Sequence, residues 1–255
     1  MVLLQDFIQF LRTGDYWKIV TLIFCINLFQ VVFVAVVGEW LVKIFAHRRI
    51  SDHPENLSFN ELCLVIVTLL LNSGVTVLGC ILWRNGIITI ASGSWASMLV
   101  DMVVFILFID LCMYLLHRLA HFERLFPWLH STHHLYEDPR PITLFVLNPI
   151  ETLSFGFLWL FILVIYSSSW PGVFLFMTFN LLFGMMGHLG VEPLGDTFFR
   201  KMYTKVFATS TFHAMHHKFD TYNYGFYLVL WDKLLNTLHP DYFSRFLKNT
   251  DSGKN

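Results

Sequence analysis

Nine of the twelve histidines fall at spacings that bring imidazoles together. His117 and His121, four apart in HRLAH, share one helical face about one turn apart. His130, His133 and His134 in HSTHH sit at i, i+3 and i+4, and His213, His216 and His217 in HAMHH repeat that spacing. His188, in GMMGHLG, is the ninth. Without a metal, so many ring nitrogens gathered beside an apolar wall would go unsatisfied. Structural zinc takes four ligands, usually with thiolates, and catalytic zinc takes three. Nine imidazoles exceed one such site and suit two metals with open positions, for which iron is the natural choice. Asp110 lies seven and eleven residues before His117 and His121, hence on their helical face. It is expected to accept their far ring N–H and set the tautomer. His47, His53 and His239 have no partner at ligand spacing and are expected to be solvated.

The elements that must carry these residues are set by lipid. The chain is 56% hydrophobic and 14% charged, with mean hydropathy +0.59 and 27 phenylalanines, more apolar surface than one core of 255 residues can hide. This excludes a disordered chain and argues against a soluble enzyme. A net charge of -1 without a basic stripe gives no reason to expect nucleic acid. Residues 19–38 and 62–83 contain no charge, and each run is long enough to cross the hydrocarbon as a helix. A third span over residues 97–116 carries Asp101 and Asp110, which are costly in lipid and so expected to face protein or the site. The uncharged stretch 152–191 is too long for one span. Its central SSSWPG is a turn signal, which predicts two helices folded as a hairpin, crossing fully or only dipping in.

Basic residues follow the first span (Lys43, Arg48, Arg49), the third (Arg118, Arg124, Arg140) and the hairpin (Arg200, Lys201, Lys205, Lys218), while the opposite connections offer only Arg84. Those basic ends belong in the cytoplasm, which puts the N-terminus outside and gathers all nine candidate ligands on the cytoplasmic side. His188 then ends the hairpin's return helix on that same side. The first residues lack the basic and short apolar regions of a cleaved signal, so no processing is expected. Cys25, Cys63, Cys80 and Cys112 show no paired spacing and are expected to be reduced and structural. The expected architecture is an all-α integral membrane protein, a single domain over 1–255. A stem of four to five spans, or fewer with a re-entrant hairpin, is capped by a cytosolic histidine-rich helical domain.

The order DLCMYLLHRLAH, FPWLHSTHHLYEDPRP, His188 and FHAMHHKFDTYNYGFYLVLWDKLLNT resembles the fatty acid hydroxylase and sterol desaturase superfamily of membrane oxygenases over about residues 101–239. The NYG and WDK stretch is closest to the sterol C5-desaturase branch. The resemblance implies two iron ions shared among His117, His121, His130, His133, His134, His188, His213, His216 and His217. Dioxygen activated there attacks an unactivated C–H bond of a sterol or fatty-acyl lipid, by hydroxylation or desaturation. Three positions depart from the family pattern. Asn148 stands at the histidine of a His-Pro-x-acid motif, here NPIE. Glu192 stands where some hydroxylases have a further histidine and is expected to be either a carboxylate ligand or an interfacial charge. Asn236-Thr237 replaces a usual Gly-Thr.

The substrate is expected to enter sideways from the bilayer, with Phe145, Trp159, Phe183 and Tyr224 as candidate lining residues. Dioxygen reduction needs two electrons, and the chain has no GxGxxG, CxxCH or cysteine cluster. A separate electron-donor protein is therefore expected, a reductase or a cytochrome b5-like or ferredoxin-like carrier. Arg118, Arg124, Arg200, Lys201 and Lys205 form either its docking face or a headgroup-contacting, topology-setting face. Two rival readings are a non-catalytic membrane iron or zinc binder and a zinc-dependent lipid hydrolase. The second lacks the glutamate of HExxH between His117 and His121.

Overall fold

The computed structural model describes residues 2–52, 56–195 and 202–251. Four helices are long and apolar enough to cross a membrane: α2 (Tyr16–Ile44), α3 (Phe59–Arg84), α4 (Trp95–Ala120) and α8 (Trp170–Gly187). The shorter apolar α7 (Pro149–Ile165) completes the stem. Helices α2, α3 and α4 each overrun the segment that predicts them, because polar residues at their ends carry the helix beyond the hydrocarbon, whereas α8 lies within its uncharged stretch. Ser58 caps α3 by accepting from the Glu61 N–H (3.2 Å), while the Glu61 carboxylate accepts from the Ser58 N–H (2.7 Å).

An N-terminal helix, α1 (Val2–Thr13), precedes the spans and has no counterpart among the sequence expectations. Arg84 holds its C-terminal end, donating from Nε to the Leu11 carbonyl and from Nη2 to that of Gly14, both at 2.7 Å. The expected hairpin is present as α7 and α8, joined through the two-residue strand β2 (Ser168–Ser169). This pairs in parallel with β1 (Ile90–Ala91). Asp101 faces protein, as its cost in lipid requires, and accepts from Tyr166 Oη (2.7 Å) and the Ser169 N–H (2.8 Å). Gly172 is needed there, since a Cβ at that position would lie 2.3 Å from Asp101 Oδ2.

Helix α4 packs along α8, and α3 along both α2 and α7. The histidine-bearing segments close over one end of this stem. They are the end of α4, the short helices α5 (Phe126–Leu129) and α6 (Ser131–His134), and α9 (Ser210–Lys218). The 3-10 turn Pro141–Phe145 lies between them and the stem, and α10 (Leu230–Leu234) and α11 (Tyr242–Asp251) pack behind. The Arg140 guanidinium pairs with the buried Glu61 carboxylate and ties that turn to α3. All four cysteines are free.

Candidate metal centre

Three segments deliver the histidine boxes in different local structures. His117 lies in the last turn of α4 and His121 is its C-cap. His130 precedes α6 rather than lying in it, so HSTHH is a tight turn and one helical turn instead of a continuous face. HAMHH is continuous within α9, whose N-cap Thr209 accepts from the Phe212 N–H (3.3 Å). His188 is the C-cap of α8, as expected for the end of the return helix.

The rings converge into two groups. One ring nitrogen from each of His117, His121, His130, His134 and His216 lies within 4.8 Å of all the others, and the same holds for His133, His213 and His217. His188 adjoins the second group, with ring centroids 4.6 Å from His213 and 5.2 Å from His133. His117, His130, His133, His188, His216 and His217 are buried.

The hydrogen bonds behind the rings test whether cations fit. His117 Nδ1 lies 2.9 Å from the Tyr224 carbonyl and His216 Nδ1 lies 2.7 Å from the Tyr222 carbonyl. A carbonyl only accepts, so both Nδ1 atoms donate and both neutral rings turn an Nε2 lone pair inward. His130 Nδ1 lies 2.7 Å from Glu151 Oε1, which turns its Nε2 inward in the same sense. Yet His117 Nε2 and His130 Nε2 are 2.9 Å apart, and His134 Nε2 and His216 Nε2 are 3.1 Å apart. At His117 and His130, whose Nδ1 atoms both face acceptors, the facing lone pairs repel unless a cation lies among them. His121 Nε2, His133 Nδ1 and His217 Nδ1 are also buried without a partner. The donor set therefore fits two metal ions, with His188 held for the second by the Thr143 hydroxyl, 3.0 Å from its Nδ1.

Protons are disfavoured at these rings for the same reasons. Burial first, then neighbouring imidazoles, hold His133, His213, His216 and His217 well below the ordinary histidine value. Burial takes His134 down to about 4 and His188 to about 3. Neutral imidazoles are the form a metal requires.

Asp110 does not serve the histidine rings. Its carboxylate accepts from the main-chain N–H groups of Phe226 (3.1 Å), Tyr227 (2.6 Å) and Leu228 (3.2 Å). Seven residues are two helical turns, and over that rise the side chain meets the loop after the third box instead of His117. Asp232, of the WDK stretch, accepts from the N–H groups of Tyr224 (2.8 Å) and Gly225 (2.7 Å). A Cβ on Gly225 would fall 2.5 Å from the Leu228 carbonyl oxygen. These two carboxylates thus fix the loop whose carbonyls orient His117 and His216. Asn236 has φ 55, a left-handed conformation in which Asn substitutes for Gly, and Thr237 Oγ1 donates to Asp232 Oδ1 (2.7 Å).

Asn148 is the N-cap of α7, accepting from the Ile150 N–H (2.9 Å). The acid of the same NPIE run, Glu151, is the residue that touches the site. Glu192 is not an interfacial charge, and it is not among the residues of either convergent group. It is fully buried, and its carboxylate accepts from the Thr211 N–H (3.0 Å), the Thr211 hydroxyl (2.7 Å) and the Leu194 N–H (3.3 Å). Burial raises its carboxyl above the ordinary value against these bonds. It thereby anchors the first turn of α9. His239 is buried, not solvated: its ring stands against Phe219 and Tyr222, and its Nδ1 accepts from the Asp241 N–H (3.1 Å). His47 is exposed, and His53, Arg200 and Lys201 lie outside the described residues.

A cavity of about 270 Å³ runs from His117, His130, His133, His188 and His213 into the stem. Phe145, Trp159 and Phe183 line it. Tyr224 does not. Its ring packs against those of His121, His117 and His216 at centroid distances of 5.2, 5.7 and 5.7 Å. Sequence reasoning missed three orienting groups: Glu151, the Tyr222 and Tyr224 carbonyls, and Thr143. The acid of NPIE and the NYG run were the available signals for the first two, whereas nothing local marks Thr143.

The sequence is similar to those of several known proteins. The chain is 28% identical to lathosterol oxidase of Mus musculus over 152 residues, 58% of this chain and 48% of the relative. It is 26% identical to the delta(7)-sterol 5(6)-desaturase of Candida albicans over 250 residues, 94% and 61% respectively. It is 29% identical to methylsterol monooxygenase 1 of Danio rerio over 125 residues, 49% and 42%. The chain thus spans about half the length of these relatives. No solved structure matches. The model of the fatty acid hydroxylase family matches residues 102–237, from α4 through Thr237, and so takes in every convergent histidine and the loop that orients them. The chain belongs to that family.

Proposed function

We propose that this protein is a membrane di-iron oxidoreductase that uses dioxygen to hydroxylate or desaturate a lipid. The names of its relatives make a sterol-type lipid the favoured substrate over a fatty-acyl chain. The observation that carries this reading is the opening of two convergent imidazole groups onto one cavity set among apolar helices. A non-catalytic membrane iron or zinc binder has no use for such a cavity. Hydroxylation consumes a C–H bond, dioxygen, two electrons and two protons, and yields an alcohol and water. Desaturation consumes two C–H bonds with the same co-reactants and yields an alkene and two waters.

His117, His121, His130, His134 and His216 would hold one iron, and His133, His213, His217 and His188 the other. The irons supply dioxygen activation and the oxidising power. The chain supplies orientation and enclosure. The Tyr222 and Tyr224 carbonyls and Glu151 keep the Nδ1 protons of His216, His117 and His130 in place, so their Nε2 lone pairs stay turned inward. Trp159, Phe183 and Phe145 keep water from the reacting carbon and position the lipid. Electrons come from a separate donor protein. Arg118, Arg124 and Lys205, exposed in the structure, are the proposed docking face for an acidic carrier on the cytoplasmic side.

The test compares the total lipids of cells making the protein with cells making His133→Ala, under air and under nitrogen. A lipid that appears only with intact histidines and only in air is expected. A gain of one oxygen identifies hydroxylation, and a loss of two hydrogens identifies desaturation. No change in a host that supplies sterols and a reductase overturns the reading.

A further inference from the structure

The cavity has a polar wall that the oxidation chemistry does not use. On α3, Thr68, Asn72 and Thr76 recur at i, i+4 and i+8, and on α2, Asn27 and Gln30 stand three apart; all five line the cavity. Asn27, Gln30 and Asn72 lie near the midpoints of helices that cross the membrane, where water is scarce. Thr68 is already engaged, with its hydroxyl 3.4 Å from that of Thr152. Asn27 Nδ2 donates to the Ile23 carbonyl (2.9 Å), which leaves its Oδ1 free. The amides of Gln30 and Asn72 make no hydrogen bond among the described residues. Three side-chain amides with open donors and acceptors are costly at this depth, and such groups mark binding sites. No Lys or Arg lines the cavity among the described residues, so a carboxylate or phosphate would be buried there unpaired.

We infer that Asn72, Gln30 and Asn27 form a subsite that hydrogen-bonds the hydroxyl of an uncharged lipid substrate, and so sets which carbon meets the histidines. This rests on the reading of the cavity as the lipid site. It also separates the two substrate classes. A sterol brings one neutral hydroxyl on a rigid apolar body, whereas a fatty acid brings a charge the wall cannot pair. Because α3 packs on α7 next to Glu151, with Thr68 touching Thr152, the amide of Asn72 is one helical turn from the level at which His130 is held.

The test is equilibrium binding to the full-length, iron-loaded protein in lipid nanodiscs, with cholesterol, cholestane and palmitate as probes. Wild type is expected to bind cholesterol roughly tenfold more tightly than cholestane, the scale of one neutral hydrogen bond made away from water, and to bind palmitate more weakly than cholesterol. Asn72→Leu and Gln30→Leu should reduce that ratio towards one, with iron content and thermal stability kept, and Asn72→Gln should restore most of it. Equal binding of cholesterol and cholestane by wild type, or an unchanged ratio in both leucine variants, overturns the subsite. Palmitate binding as tight as cholesterol overturns the preference for uncharged lipids. No step of the assay requires turnover. A protein that discriminates the probes but oxidises no lipid in air would overturn the proposed function and leave the subsite standing.

Discussion

The two imidazole groups differ in how their rings are held. In the five-histidine group, His117 and His216 donate to main-chain carbonyls and His130 faces a buried carboxylate. In the other group, His133 and His217 have buried Nδ1 atoms with no partner, and only the adjoining His188 is held, by a hydroxyl. The difference teaches that the fold itself orients three rings of the first group, whereas in the proposed di-iron centre the second group would take more of its order from its metal. Preorganisation of this kind raises affinity, because the ring rotamers are already fixed when the ion binds.

The largest effect separates one essential group from two. His216→Ala in the first group and His217→Ala in the second are each expected to take lipid oxidation below detection in the air-dependent assay. Product from either variant would break the view that both metals are needed. A smaller effect sharpens the contrast in support. Glu151→Ala should weaken metal at the first group by about 10- to 100-fold, read as iron per chain against a graded chelator, while Thr143→Val should cost less at the second. Equal losses would mean that the two groups are supported alike.

Support of α9 is shared by both groups, since the helix carries His216 of the first and His213 and His217 of the second. Glu192→Ala leaves the Thr211 and Leu194 donors unpaired in the interior and should cost about 1–3 kcal/mol of stability, read as a lower Tm with or without metal. A loss seen only in the loaded protein would make Glu192 a ligand after all. The mildest perturbation is acid. Metal-free protein should lose stability as pH falls from about 6.5, because the unfolded chain then takes up protons that the buried rings refuse. The loss continues until the folded values, about 4 for His134 and about 3 for His188, are passed. Above pH 7 both states are neutral at these rings, and the contribution is flat. Unfolding midpoints from pH 8 to 5 read this, and a stability that rises on acidification contradicts it.

Much of the stem was legible because lipid enforces a simple rule: uncharged runs become helices, and SSSWPG breaks the longest of them into α7 and α8. The ligand spacings were legible for the same reason, since 3.6 residues per turn converts HRLAH and HAMHH directly into faces. Partners across long sequence separations were not. Asp110 is on the right helix face for His117, but which main-chain groups sit two turns below is decided by how residues 226–228 fold back. Glu192 reads in sequence as either a carboxylate ligand or an interfacial charge, and the Thr211 donors at the start of α9 meet it in the interior. His239 looks solvated in an HPDY tail, yet Phe219 and Tyr222 enclose it. Helix α1 stayed hidden because its amphipathic pattern is short and its docking depends on Arg84, far along the chain.

The loop that holds His117 is built from residues 222–228, and the Tyr224 carbonyl that orients the ring lies 107 residues further along the chain. During synthesis the first two boxes therefore emerge before the carbonyls that align them, and His216 follows later still. The alignment of His117 and His216 is thus completed by a stretch of chain made after both of them.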